Sequence, residues 1–435
     1  MQKTILTKAV AVALATLGAG AAMAQSSVTL YGHADISVDN VNKTAGVPAL
    51  PGAGAGQGTK ANLTRVSPSG TSQTSFGLKG TEDLGSGWAA TFVLEGQLGH
   101  DTGALGQDGR IFGRQSYVGL TTPYGEVRLG RQYAPIFYST AFVTGERFGA
   151  TDLFTEGGAS NNLQVRQDNQ VSYWAKFGGF TGSIAYSPNA GSLPFISAAR
   201  GGAANNAGAP GGMLGSAGSG TEGNNRLGRS VGAFGNMAFT DAFNMTLGYH
   251  HNDFDGARFG ALNPATGNSY LSQSTFVLDK YQAGNIGAKY VMPGSGLMFD
   301  GAFGQGEYSF SNSGDLTVQF AVVGTRIPVG QWTLSAQVSQ IRFKNFTKGK
   351  DTGMMLGAEY GLSKRTTLYV RAAQIKDDEG TAASAGLATV GNTVVGGPDV
   401  ISTSFGFRET PVFAGANLNP GGRTTYVGAG VRHSF

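Results

Sequence analysis

The last ten residues, Tyr426-Val427-Gly428-Ala429-Gly430-Val431-Arg432-His433-Ser434-Phe435, decide the fold. Val427, Ala429 and Val431 alternate with Gly428, Gly430 and Arg432, a period of two that makes a strand with two unlike faces. The face carrying Val431 also carries His433 and ends on the aromatic Phe435. An aromatic at the end of an apolar strand face suits the girdle where a membrane wall meets water.

The same period recurs upstream. Val28, Leu30, Ala34, Ile36 and Val38 oppose Thr29, Tyr31, His33, Asp35 and Ser37. Trp88, Ala90, Phe92 and Leu94 oppose Ala89, Thr91, Val93 and Glu95; Trp332, Leu334, Ala336 and Val338 oppose Thr333, Ser335, Gln337 and Ser339. Between such stretches, short connections take turns with long ones. The short ones fall at 83–87, 122–126, 177–180, 241–242, 293–296, 328–331 and 362–364. The long ones fall near 39–70, 99–110, 132–165, 188–227, 253–277, 310–315, 347–351 and 376–422. Seven short and eight long connections join sixteen strands, and an even number with both ends on the short-turn side is what a closed outer-membrane barrel requires.

Composition favours a barrel over a sandwich. Only 13% of residues are charged, against about a quarter in an ordinary domain, while 10% are aromatic and 71 are glycine. In lipid, every backbone donor and acceptor must be paired within the protein, so a sheet must close and lose its edges. With no cysteine there is no disulfide framework. The expected fold is all-β, a sixteen-stranded antiparallel transmembrane β-barrel.

The first residues read separately. Lys3 and Lys8 precede an apolar run from Ala9 to about Leu17, and Ala22-Met23-Ala24 follows, the order of a secretory signal peptide. The run is too short for a helical span of roughly 20 residues. Residues 1–24 are therefore expected to be a cleaved signal and 25–435 the barrel. Removing two lysines takes the net charge from +4 to +4 − 2 = +2, too little for a nucleic-acid partner. Gly52-Ala53-Gly54-Ala55-Gly56 lacks the strand–helix context of a phosphate loop, and no G-x-S-x-G elbow is present. Adjacent His250 and His251 point to opposite faces of a strand and make a poor metal pair. No catalytic residue, metal or cofactor is expected.

Several segments resemble the general porins of β-proteobacteria: Thr29-Leu30-Tyr31-Gly32, Gly77-Leu78-Lys79-Gly80-Thr81-Glu82-Asp83-Leu84-Gly85, Leu129-Gly130-Arg131-Gln132, Arg166-Gln167-Asp168-Asn169-Gln170-Val171-Ser172-Tyr173, Leu362-Ser363-Lys364-Arg365-Thr366 and the closing stretch. They run in order over nearly the whole mature chain. The resemblance implies a water-filled channel for small hydrophilic solutes and ions, a homotrimer in outer-membrane lipid and lipopolysaccharide, and a third loop folded into the pore. It also implies that Phe435 is read by the barrel-assembly machinery. On the pore wall it implies basic groups at His33, Arg114 and Arg166; an arginine is expected where Ser75 stands, which predicts a weaker basic cluster. Lys79 and Arg128 face inward by parity, nearer the periplasmic end, and Arg65 is the candidate to reach the gap beside Ser75. On the third loop the charges are Glu146, Arg147, Asp152 and Glu156. The alternatives are a substrate-selective channel, a barrel enzyme, or an adhesin acting through its long loops.

Overall fold

A computed structural model describes residues 27–43, 61–68, 70–72, 74–106, 110–144, 166–188, 229–259, 276–311, 315–345, 349–377, 388–390, 393–395 and 423–435. The signal segment lies outside them.

The chain begins with β1 (Ser27–Lys43), β2 (Ala61–Pro68), β3 (Ser75–Gly85), β4 (Trp88–Gln97), β5 (Gln115–Thr122) and β6 (Gly125–Tyr133). A short helix, α1 (Pro135–Ala141), follows. Next come β7 (Arg166–Phe177), β8 (Phe180–Ser187), β9 (Arg229–Ala238), β10 (Phe243–Phe259), β11 (Phe276–Val291) and β12 (Met298–Phe310). The remainder is β13 (Leu316–Val329), β14 (Trp332–Asn345), β15 (Gly349–Gly361), β16 (Thr366–Asp377), a two-stranded hairpin of β17 (Ala388–Val390) and β18 (Thr393–Val395), and β19 (Arg423–Ser434).

Each large strand pairs antiparallel with its neighbours, and β19 returns to β1. β2 pairs with the upper half of β1 and β3 with its lower half, so they form one interrupted strand. The seventeen strands of the sheet thus occupy sixteen positions of a closed barrel. Strand edges disappear and the backbone is satisfied within the wall, as lipid demands.

Exposure settles which face is which. Val28, Leu30, Val118, Leu247, Val323, Leu356 and Val427 are exposed, whereas Asp35, Ser37, Glu95, Ser172, Thr246 and Asn285 on the opposite face are buried. The barrel is apolar outside and polar inside. Trp332 and Tyr360 meet at 4.9 Å at the short-turn end, part of the aromatic girdle.

Three strands run further than the sequence pattern indicates. β1 reaches Lys43, β10 reaches Phe259, and β2 lies within what reads as a single long loop. Outward Asn40 explains the first case: its side chain bonds Asn62 at 2.6 Å and Thr64 at 2.8 Å, so ladder pairing continues above the apolar band without apolar residues.

The break between β2 and β3 is built on Asp35. Its carboxylate accepts the backbone N–H groups of Gly70 (3.1 Å), Thr71 (2.9 Å) and Ser72 (2.8 Å), and the hydroxyls of Thr71 and Tyr369 (2.6 Å). A carboxylate ringed by donors can be buried where an unpaired one cannot.

The seam is closed by the terminal residue. Phe435 and Gly32 exchange two backbone hydrogen bonds of 3.1 Å, and the Phe435 ring lies over Gly32. A Cβ at Gly32 would stand 2.3 Å from the Ser75 carbonyl oxygen and 2.7 Å from the Phe435 ring. Gly32→Ala is therefore expected to cost about 1–3 kcal/mol through overpacking, seen as a lower urea midpoint for loss of the heat-modifiable folded band on gels. An unchanged midpoint would show that the seam tolerates a side chain there.

Candidate functional site: the waist of the pore

The third loop enters the lumen directly after β6. Pro135 at the start of α1 fixes φ where no intrahelical donor is needed, and Tyr133 stacks on Phe137 at 4.3 Å, turning the chain inward. The helix lies on the inner wall of β9, β10 and β11. Thr246 Oγ1 donates to the Ser139 carbonyl at 2.5 Å, Asn285 Nδ2 to Ser139 Oγ at 3.1 Å, and Lys289 Nζ to the Phe142 carbonyl at 3.1 Å. Close approach requires wall glycines: a Cβ at Gly248 would stand 2.5 Å from Ser139 Oγ, and one at Gly287 2.5 Å from Val143 Cγ2. Tyr138 meets Trp174 at 4.8 Å and Phe142 meets Phe234 at 5.1 Å, which packs the helix against β7 and β9 as well.

In a ring of sixteen, β10 lies across from β1. The wall from β4 to β7, next to the helix, carries arginines. Arg114, just before β5, forms an ion pair with Glu95 of β4, and Tyr31 of β1 donates to the same carboxylate at 2.7 Å. Arg114 Nη2 and Arg166 Nη2 both donate to the Tyr133 hydroxyl at 2.8 Å, and the Arg166 guanidinium sits 4.4 Å over the Tyr133 ring. The two wall arginines singled out from sequence therefore converge on one phenol. Arg110 (2.8 Å) and Arg131 (2.5 Å) share Asp168 close by. Asn169 adopts a left-handed φ of 54° at a bulge where β6 and β7 shift register, and this sets Asp168 out of the regular alternation.

A second basic group was missed from sequence. Glu359 on β15 is approached by Arg371 at 2.5 Å, Arg432 at 3.5 Å and Arg326 at 3.6 Å, from β16, β19 and β13. Each of the three arginines lies on the inward face of its strand, so parity carried the signal; their convergence depended on register. His33 stands between the two groups. It faces the lumen, its Nδ1 lies 3.0 Å from Ser434 Oγ, and the charges acting on it include Arg432 and Arg114.

The other expected positions fall as follows. Ser75 is buried and pairs across the strands with His33 and Gln97. Arg65 does not reach the space beside it: it binds Asp39 at 3.0 Å, six residues further along β1 than His33, because the β1–β2 register sets those two opposite each other. Lys79 lies 5.1 Å over the Tyr31 ring. Arg128 is held between the rings of Tyr117 (5.0 Å) and Trp174 (4.8 Å) and pairs with Glu126 at 2.6 Å. Glu146, Arg147, Asp152 and Glu156 lie outside the described residues. His250 and His251 diverge as strand geometry dictates: His250 is buried on the inner face beside Gln167 and Asn252, and His251 pairs with Asp253 at 3.1 Å on the outer face.

A closed antiparallel barrel, apolar outside, polar within and narrowed by a loop bound to its inner wall, defines an outer-membrane channel for passive diffusion of small hydrophilic solutes. The chain belongs to the Gram-negative porin family, whose model matches residues 9–380. It is 30% identical to outer membrane porin protein 32 of Delftia acidovorans, over 98% of this chain and 99% of that protein. It is 37% identical to an outer membrane porin of Bordetella pertussis, over 43% of this chain and 48% of that one. Among solved structures it is similar to an anion-selective porin from Comamonas acidovorans, with a TM-score of 0.62, 23% identity, and coverage of 94% of this chain and all of that one. It also resembles OmpT of Vibrio cholerae, with a TM-score of 0.56, 12% identity and coverage of 94% and 98%. Family and relatives point to a channel rather than an enzyme.

Proposed function

We propose that the channel sorts solutes by charge at its waist and passes anions in preference to cations. The observation that carries this reading is the convergence of Arg114 and Arg166 on Tyr133, beside the loop helix that Tyr133 stacks against, with Glu95 as the acid of that network among the described residues. Among the described residues, two cations against one anion leave 2 − 1 = +1 beside the loop helix, and the three arginines around Glu359 add 3 − 1 = +2. A narrow waist focuses such charge along the path of a passing ion. His33 joins the two groups, while Lys79 and Arg128 lead away from them toward the periplasm. Glu146, Asp152 and Glu156 supply the opposing acids from the loop, with Arg147 among them. Reversal potential in a KCl gradient across a planar bilayer tests this: anion preference is expected, and a cation preference would refute it.

The working form is a homotrimer released by removal of residues 1–24, with Phe435 presented to the assembly machinery. Supporting the trimer, β4, β5 and β6 are short strands of 10, 8 and 9 residues, and the outer wall there bears a groove lined by Val28, Gly80, Ala90, Phe92, Ser116 and Val118. Small side chains on a low wall suit close contact with another copy. Native mass measurement in mild detergent is expected to give three copies; single copies alone would refute the trimer.

A further inference from the structure

The second strand of the barrel carries more chain than its register uses. Pro68 of β2 stands opposite Ile36 of β1, and Ser75 of β3 opposite His33. Only Ala34 and Asp35 lie between those positions on β1, whereas residues 69–74 are six. The surplus must leave the ladder, and its anchors show to which side. Asp35 faces the lumen and is fully buried, and its carboxylate accepts the N–H groups of Gly70, Thr71 and Ser72. At the far end the Thr74 hydroxyl accepts the Asp35 N–H at 3.2 Å and donates to the Asp35 carbonyl at 3.0 Å, in place of the missing ladder bonds. Residues 70–72 therefore lie on the lumenal side of the wall, over β1 and its neighbours β19 and β16, where they meet Arg432 and Tyr369.

That wall faces the one that carries α1, since β1 lies across the ring from β10. His33 ties the two in level. It stands two residues before Asp35 and is within electrostatic reach of Arg114, which is bonded to the Tyr133 that stacks on α1.

Arg432 of β19 is the direct cross-strand partner of Asp35. Opposite charges so placed ordinarily pair, yet among the described residues no ion pair joins these two. Five donors fill the two oxygens of Asp35: the three N–H groups and the hydroxyls of Thr71 and Tyr369. Arg432 turns instead to the hydroxyls of Thr71 at 3.3 Å and Ser72 at 3.4 Å, with Nη2 3.5 Å from Glu359.

We propose that residues 70–72 are a second jaw of the waist, facing α1 across the pore, and that Asp35 is the positioning residue that holds it there. By spending its charge on the jaw, Asp35 also leaves Arg432 to act on passing anions. This second role rests on the anion preference proposed above; the narrowing does not.

Replacing residues 69–74 by Thr-Thr, the number that the register accommodates, joins β2 to β3 and tests both roles. Single-channel conductance is expected to rise at least about 1.3-fold, because the narrowest section governs flow. The exclusion limit for neutral sugars in liposome swelling should rise with it, a readout blind to ion preference. Asp35, freed to pair with Arg432, should lower the anion-to-cation permeability ratio at least about twofold. Asp35→Asn added to the shortened strand should restore that ratio and leave the conductance high. Should the shortened barrel fail to fold, Ser72→Cys carries the test, because the chain has no other cysteine. A bulky neutral methanethiosulfonate reagent should then lower the conductance of the variant and leave wild type unaffected. Wild-type conductance and sugar limit in the folded, shortened variant, or in fully modified Ser72→Cys, would overturn the jaw. A wider pore whose ion preference is that of wild type would overturn the role of Asp35 toward Arg432.

Discussion

A channel carrying Arg114→Ala and Arg166→Ala together is expected to lose much of its anion preference at low salt. The two arginines and Glu95 sum to +1; without the arginines, Glu95 remains and the sum is −1. A unit charge roughly 8 Å from an ion in a watery lumen is worth about 0.5 kcal/mol. A change of two units therefore shifts an anion and a cation by about 1 kcal/mol each in opposite senses, or roughly thirtyfold in the anion-to-cation permeability ratio before screening. Screening over roughly 8 Å at physiological ionic strength hides part of this, so the gradient belongs between dilute solutions. Tyr133→Phe provides the finer comparison. It removes the hydroxyl that both guanidinium groups share but leaves the ring under Arg166 and the ring stacking on Phe137. A modest loss of selectivity is expected, well short of that in the double alanine variant. An unaltered reversal potential in the double alanine variant would mean that the arginines around Glu359 set the ion preference.

Replacing residues 134–165 by an Asn-Gly turn is expected to raise single-channel conductance at least about twofold, because the narrowest section governs flow through a water-filled pore. The exchange is structurally conservative at the wall. Tyr133 and Arg166 are already cross-strand partners, so a two-residue turn joins β6 to β7 without changing register. What it removes is α1 with its bonds from Thr246, Asn285 and Lys289. The exclusion limit for neutral sugars should rise in step, measured by liposome swelling. Conductance equal to wild type from a correctly folded barrel would place the constriction elsewhere, most directly at residues 70–72, held by Asp35 on the opposite wall.

Much of this was legible in the chain. Alternation at Val28 to Val38, Trp88 to Leu94 and Trp332 to Val338 assigned residues to faces, because successive side chains in a strand must point to opposite sides. The alternation of short and long connections gave the strand number. The inward facing of His33, Lys79 and Arg128 follows from the same parity, as does the outward facing of His433, whose ring meets Thr366 at 2.9 Å on the outer face.

Parity assigns a side but no height, and it says nothing of neighbours several strands away. Arg65 was the candidate to stand beside Ser75, yet the register of β1 with β2 placed it against Asp39 and away from Ser75. Arg326, Arg371 and Arg432 lie far apart along the chain and meet at Glu359 only because the sheet closes and its strands are staggered. The bulge at Asn169 and the break held by Asp35 each depart from period two, and each is stabilised by partners distant in sequence. The sequence by itself determined a closed barrel of strands with two unlike faces, since local alternation and backbone pairing in lipid leave few other folds; the folded sheet decided which face is outside. Which charges share a waist, and where the third loop rests, were decided only by tertiary structure, because strand register and stagger are properties of the whole ring.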